Sequence, residues 1–128
     1  MGRDIPLLQL RSVLQQLGLL EPIEQLPQGL NTRLASHGRP LTIDQQLRLT
    51  LARAILAQPR LLLIDRTLDL IEPAWLEPVL ALLFSAPVPW TLIIISHHPQ
   101  VIARCQQQIR FAEGGKLRLI GKPECHDE

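Results

Sequence analysis

A short apolar run that ends in an acid, Leu61-Leu62-Leu63-Ile64-Asp65, followed by Arg66, constrains the fold more than any other stretch of this chain. It reads as a buried parallel strand that delivers a carboxylate to the carboxyl edge of a sheet. A second run, residues 91–96, is rich in β-branched residues and bounded by turn signals, so it reads as another strand. Between them, Glu72-Pro73 opens a helix, with proline at its first position and an acid near the positive end of the dipole. That helix covers about residues 74–84, and Pro78 is tolerated there only in the first turn or as a kink. Strand, helix and strand make a βαβ unit, whose right-handed crossover sets the strands parallel. Asp65 and the pair His97-His98 therefore emerge at one edge of the sheet. Ligands of open α/β sheets bind at that edge, so Asp65 stands where a Mg²⁺–phosphate ligand would sit.

The chain has 128 residues, of which 46% are hydrophobic and 20% charged, so a packed core is expected rather than disorder. That length supports one modest domain, burying roughly two-thirds of its unfolded surface. With two Trp, two Phe and no Tyr, the core must be built mainly from Leu and Ile. A formal net charge of +1 gives no reason to expect nucleic acid or an anionic membrane as a partner. No apolar run reaches the ~18 to 20 residues of a membrane span, and the first residues lack the apolar stretch of a secretory signal. Cys105 and Cys125 form no CxxC spacing and imply no disulfide framework. A cytoplasmic location is expected, peripheral to a membrane only through a partner.

The remaining elements follow from local signals. Leu7, Leu8, Leu10, Val13, Leu14 and Leu17 follow a helical spacing over residues 5–20, and Gly18 is placed to end that helix. Pro22, Pro27 and Gly29 predict a linker, and Gly38-Arg39-Pro40 an irregular approach to the next element. Thr42 and Gln45 fit a capping box, the hydroxyl accepting from the third helical amide while Gln45 reaches back. The helix they start is expected over about residues 43–57, ended by Pro59. Pro99 opens a short helix to about Cys105. Residues 108–112 and 116–120, joined through Glu113-Gly114-Gly115, predict a hairpin. Three segments are expected within one compact unit: residues 1–58, mostly helical; residues 59–121, an α/β core; and residues 122–128, a tail.

From residue 26 to residue 119 the order of motifs resembles the second half of an ABC-transporter nucleotide-binding domain of exporter type. Residues 26–34, Leu-Pro-Gln-Gly-Leu-Asn-Thr-Arg-Leu, are similar to the segment that leads into the family's signature. Leu41-Thr42-Ile43-Asp44-Gln45 falls at the signature itself, and residues 49–56 resemble the helix that follows. Pro59 to Asp65 resembles the Walker B strand, Glu72-Pro73 the D-loop, and Ile95-Ser96-His97 the switch strand with its histidine. Glu113-Gly114-Gly115-Lys116-Leu117 looks like the C-terminal hairpin. The resemblance implies a partial P-loop-NTPase-like α/β core with parallel strands, flanking helices and a C-terminal hairpin. It also implies ATP and Mg²⁺ as ligands, with Thr42, Gln45 and His97 on the nucleotide and Asp65 on the metal through water.

Three departures from the family pattern bear on chemistry. No G-x-x-x-x-G-K-[ST] occurs among the 128 residues, and that loop supplies the amides and lysine that cradle phosphates. Core strands that the family places before and around that loop are expected to be absent with it. At the signature, glycines that allow close backbone approach are replaced by Ile43 and Asp44. An aspartate held about 4 Å from a phosphate charge at an effective dielectric near 20 would repel it by roughly 4 kcal/mol. Thr42 keeps the hydroxyl at this helix start, where an anion site is expected. Arg66 stands where the family has an acidic general base. A guanidinium has donors and no acceptor, so it cannot take a proton from water.

Each candidate residue also has a purely structural reading. Asp65 either holds a Mg²⁺-bound water or caps the next turn and pairs with Arg66. His97 either contacts a terminal phosphate or bonds to backbone, and His98 is expected on the surface. Asp65 with His97 and His98, and Cys125-His126-Asp127-Glu128, carry metal-ligand residue types. Arg48 and Arg53 are expected to make surface ion pairs or contacts to neighbouring loops. The expectation for the whole is a degenerate, non-catalytic cassette fragment bound to a transporter, a cassette subunit or itself. A split ATPase completed by a P-loop-bearing chain and a nucleotide-independent interaction module are the alternatives.

Overall fold

The computed structural model describes residues 4–85 and 87–120. Its elements are α1 (Leu7–Gln16), α2 (Leu20–Glu24), α3 (Ile43–Leu56), β1 (Leu61–Asp65), α4 (Pro73–Phe84), β2 (Thr91–Ile95), α5 (Pro99–Arg104), β3 (Gln108–Phe111) and β4 (Leu117–Ile120). Single 3₁₀ turns lie at Gly29–Asn31, Ser36–Gly38, Thr67–Leu70 and Glu113–Gly115. The fold is mixed α/β, as expected. The tail beyond residue 120, with its Cys125-His126-Asp127-Glu128 run, lies outside the described residues.

β1 and β2 pair in parallel, Leu61 opposite Thr91 through Asp65 opposite Ile95. Both strands thus end at the same edge, and the connections that follow them leave from one side of the molecule. β3 and β4 form the expected antiparallel hairpin, Gln108 opposite Ile120 and Phe111 opposite Leu117. Its turn uses Gly114 and Gly115, both at positive φ, where a side chain would be strained.

The core lies on one face of the parallel pair. Leu62 and Ile64 of β1 pack there with Leu14 and Leu17 of the N-terminal region, Leu51 and Ile55 of α3, and Leu76, Val79, Leu80 and Leu83 of α4. Leu68 and Ile71, from the segment between β1 and α4, and Val101 of α5 complete it. Aliphatic residues supply nearly all of this cluster. The other face of the pair is bare: Leu61 is 51% exposed, Leu63 64%, Ile93 52% and Ile95 51%. The expectation of a buried strand therefore holds for alternate residues only. Among the described residues nothing packs on the second face, although its side chains are those of a strand covered on both sides.

One expectation, of a linker after the first helix, is corrected. Gly18, at φ +67°, ends the first helix as expected, but a second short helix, Leu20–Glu24, follows where a linker was expected. Pro22 is its third residue, where an N–H would have no helical partner anyway, so the ring costs nothing. Pro78 sits at the sixth position of α4, beyond the first turn, and the helix continues to Phe84. The carbonyl of Ala74, which loses its helical partner there, belongs to an exposed residue.

Candidate functional site

The carboxyl edge of the parallel pair carries the groups expected there. Asp65 closes β1, and His97 and His98 follow β2 directly. The Asp65 carboxylate is exposed, with a single loose ion pair to Arg66 at 4.0 Å. Arg66 itself is exposed and adopts the left-handed conformation at φ 59°, turning the chain away from the sheet. Its amide donates to the carbonyl of Ile95 at 2.9 Å, so the two strand ends stay stitched one residue beyond the ladder. His97 is also exposed, while His98 is half-buried and caps α5, its Nδ1 accepting the Gln100 amide at 3.3 Å. The expectation that His98 is a plain surface residue is corrected accordingly.

A residue the sequence reading passed over organises this edge. Asp69, in the 3₁₀ turn after β1, accepts a hydrogen bond from the hydroxyl of Ser96 and, at 3.1 Å, one from the amide of His97. Partial burial works to raise its pKa, but the hydrogen bonds from Ser96 and the His97 amide, with the charge of His97 and His98 when protonated, outweigh it. They hold the carboxyl below the usual carboxylate range. The signal was present as an acid four residues beyond the strand end and a serine closing the neighbouring strand. It becomes legible only once the two strands are known to be adjacent.

The second candidate region is the start of α3. The capping box forms as expected: the Gln45 amide donates to Thr42 Oγ1 at 3.1 Å, and Gln45 Oε1 accepts the Thr42 amide at 2.9 Å. Ile43 stands out to solvent, 77% exposed. Asp44 does not project from the helix start toward a ligand. It is buried, and Arg48 of the next turn donates to its Oδ2 from Nε at 2.8 Å, with the second guanidinium nitrogen at 2.6 Å. Asp44 Oδ1 accepts the Glu72 amide at 2.8 Å. Arg48 also donates to the carbonyl of Leu17 and lies over the Trp75 ring, 4.4 Å from its centroid. The expected contact to a neighbouring loop is made by Arg48 through the Leu17 carbonyl, but its ion pair is buried rather than on the surface, Arg48 being 4% exposed; Arg53 is the exposed one of that pair.

This network joins the end of the N-terminal helix, the start of α3 and the start of α4. The open cleft beside it is lined by Glu21, Glu72, Gln45 and Trp75 among others, so acids border it. Asp44 also places a negative charge in the first turn of α3, offsetting the positive end of the helix dipole. The capping box takes up the Gln45 amide, and the Gln46 amide donates to the Thr42 carbonyl at 2.9 Å.

Asp65 and His97 offer a carboxylate and an imidazole of the right types for a Mg²⁺-bound water and a phosphate oxygen. No run of free amides with a lysine accompanies them among the described residues, where the one lysine, Lys116, lies by the hairpin turn. No group of three or more His, Cys, Asp or Glu side chains among the described residues is placed to hold a metal ion.

Similar proteins decide the family. The chain is 30% identical over 120 residues to an ABC-type transporter of Mycosarcoma maydis, covering 94% of this chain and 9% of that protein. It is 32% identical over 114 residues to an ATP-dependent lipid A-core flippase of Dechloromonas aromatica, covering 89% of this chain and 20% of the flippase. This chain belongs to the ABC-transporter ATP-binding cassette family. A third cassette relative, a glutathione/L-cysteine transport system ATP-binding/permease protein of Haemophilus influenzae, is 36% identical over 109 residues, 85% of this chain and 19% of its own length. The cassette chain thus spans a fifth or less of these three relatives. No protein-family model matches the chain. No helix among its described residues is long and apolar enough to cross a membrane.

Proposed function

We propose that this chain is a degenerate part of an ABC-type nucleotide-binding domain, one that does not turn over ATP by itself and acts through a transporter or a cassette partner. The observation that carries this reading is Arg66: the residue after Asp65 is an exposed, left-handed arginine beside the exposed Asp65 carboxylate at the strand end. A carboxylate one residue on would polarise water, whereas a guanidinium can donate to phosphate but cannot accept a proton. Asp44 supports the reading from the other side, because its carboxylate is committed to Arg48 and Glu72. The bare apolar face of β1 and β2 supports association, since burying one such aliphatic side chain contributes about 1.5–3 kcal/mol. On this reading the protein works at the inner face of a membrane through its partner and stays otherwise cytoplasmic.

A second reading has an observation of its own. Asp65 and His97 are both exposed at one sheet edge, as a split ATPase completed by a P-loop-bearing chain would need them. A titration of the purified chain with a fluorescent ATP analogue, with and without Mg²⁺, separates the two. No binding up to about millimolar, an affinity of only about −4 kcal/mol, is expected for the first reading. Saturable, Mg²⁺-dependent binding weakened by Asp65→Asn would overturn it in favour of the second. Turnover restored on mixing with a P-loop-bearing partner would then be the confirming result.

A further inference from the structure

Two sheet faces of this chain are bare, and they are alike. In the parallel pair, Leu61, Leu63, Ile93 and Ile95 share the face turned away from the core, each more than half exposed. In the hairpin, Ile109 stands opposite Leu119 and Phe111 opposite Leu117, so all four side chains project from one face. They are 59–75% exposed. Among the described residues, the core cluster and the apolar side chains packed against it draw nothing from β3 or β4. A two-stranded hairpin with nothing on its apolar face is at best marginally stable in water. Its other face carries Arg110 and Arg118, opposite one another and both exposed.

We propose that two copies of this chain pair about a twofold axis, the hairpin face of each covering the bare face of the parallel pair of the other. Area selects this occupant. A Leu, Ile or Phe side chain exposed by half to three-quarters presents on the order of 100 Å². Each face therefore amounts to about 400 Å², which monomers commonly expose, whereas the two together reach the about 800 Å² per partner of a stable interface. Shape agrees, since both faces are two strands wide with aliphatic side chains at alternate positions, and such sheets pack face to face with their side chains interdigitated. Like faces meeting like would form two separate contacts on each copy, which build open chains; the reciprocal exchange covers both faces in one closed pair. Arg110 and Arg118 lie on the outer side of the hairpin, so they stay in solvent and do not oppose the contact.

Sedimentation velocity of the full chain at tens of micromolar, with no nucleotide present, tests the pairing apart from the proposed function. A single species of about twice the 14.4 kDa of one chain is expected. Leu63→Glu and Phe111→Lys each place a charge on one of the two faces, at a side chain more than half exposed and off the core. Far-UV circular dichroism verifies that the fold is kept. A twofold interface carries each substitution twice, so either one is expected to weaken pairing by about thirtyfold or more and leave monomer. Mixed in equal amounts, the two variants are expected to pair again. The unaltered hairpin of one then meets the unaltered strands of the other, and the second contact sets a glutamate against a lysine. Ile93→Glu and Leu119→Lys repeat the design should either first variant fail to fold. A monomeric unsubstituted chain, a single variant that stays dimeric, a mixture that stays monomeric, or a mass that climbs without limit with concentration overturns the proposal.

Discussion

The Asp44 carboxylate reaches across the fold to the amide of Glu72, 28 residues later, while holding Arg48 in a buried ion pair. Removing one member of such a pair leaves the other charge buried without a counterion. Asp44→Ala is expected to lower stability by about 3–5 kcal/mol, a large part of the ~5–15 kcal/mol typical of a domain. The double variant Asp44→Leu with Arg48→Met, which removes both charges and keeps volume, is expected to cost less than Asp44→Ala alone. Urea unfolding of the unsubstituted chain, Asp44→Leu, Arg48→Met and the double variant, with Asp44→Ala beside them, measures the difference, and additive losses across the four members of the cycle would show that the pair is not a unit.

Asp69 predicts an acid-sensitive edge. Its folded pKa is below the ordinary value, so in the folded state it binds a proton less readily than in the unfolded one. Its contribution is therefore fully present above the unfolded carboxylate pKa of about 3.9 and is lost as pH falls through the lower folded value. Below about pH 4 the Ser96 and His97 contacts weaken, and amide exchange at His97 should rise toward that of Asp69→Asn. In Asp69→Asn this acid-dependent step should be absent, while the rest of the titration is kept. A His97 amide whose exchange follows the same acid profile in both proteins would contradict the assignment.

How much of this was readable in advance depended on whether a signal was local. The capping box at Thr42 and Gln45 is written in four consecutive residues, and it formed as read. The shared edge of Asp65 and His97 followed from the strand–helix–strand order alone, and the parallel register places them so. The burial of Asp44 was not legible because it is decided elsewhere: the Glu72 amide donates to it and the Leu17 carbonyl holds its partner Arg48, and neither is near it in sequence. Its i, i+4 spacing to Arg48 was visible, but such pairs usually lie on a solvated face. Leu61 and Leu63 look like the interior of a sheet in sequence, and whether they are interior depends on neighbours that lie beyond β1 and β2.

Gly18 is required by packing as well as by backbone. It has φ +67°, and a Cβ built there would sit 2.0 Å from the Trp75 ring. The indole is itself held between this turn and Arg48, so it has little room to withdraw. Gly18→Ala combines left-handed strain with a forced shift of an aromatic ring. The expected loss is about 1–3 kcal/mol, at the level of an overpacked core site. Thermal unfolding of Gly18→Ala, beside Gly29→Ala at a positive-φ glycine with open space around it, separates the two causes. The Gly29 variant should lose only the strain, and comparable losses in both would mean that Trp75 moves aside freely.

The bare face of the parallel pair predicts how the isolated chain behaves. Leu61, Leu63, Ile93 and Ile95 alternate along two adjacent strands, so they form one contiguous apolar surface and not scattered exposures. Surfaces of that kind on a monomer mark an interface or an aggregation site. At tens of micromolar the chain should therefore self-associate and bind a hydrophobic dye. Leu63→Lys and Ile93→Lys should reduce both, because a charge on that face must be desolvated in any contact that covers it. Folded stability should change by less than about 1 kcal/mol, since both side chains are more than half exposed and lie off the core. Light scattering with a urea series distinguishes the outcomes. A clean monomer in the unsubstituted chain would count against association through this face, and lost stability in the lysine variants would mean that the face is packed in solution.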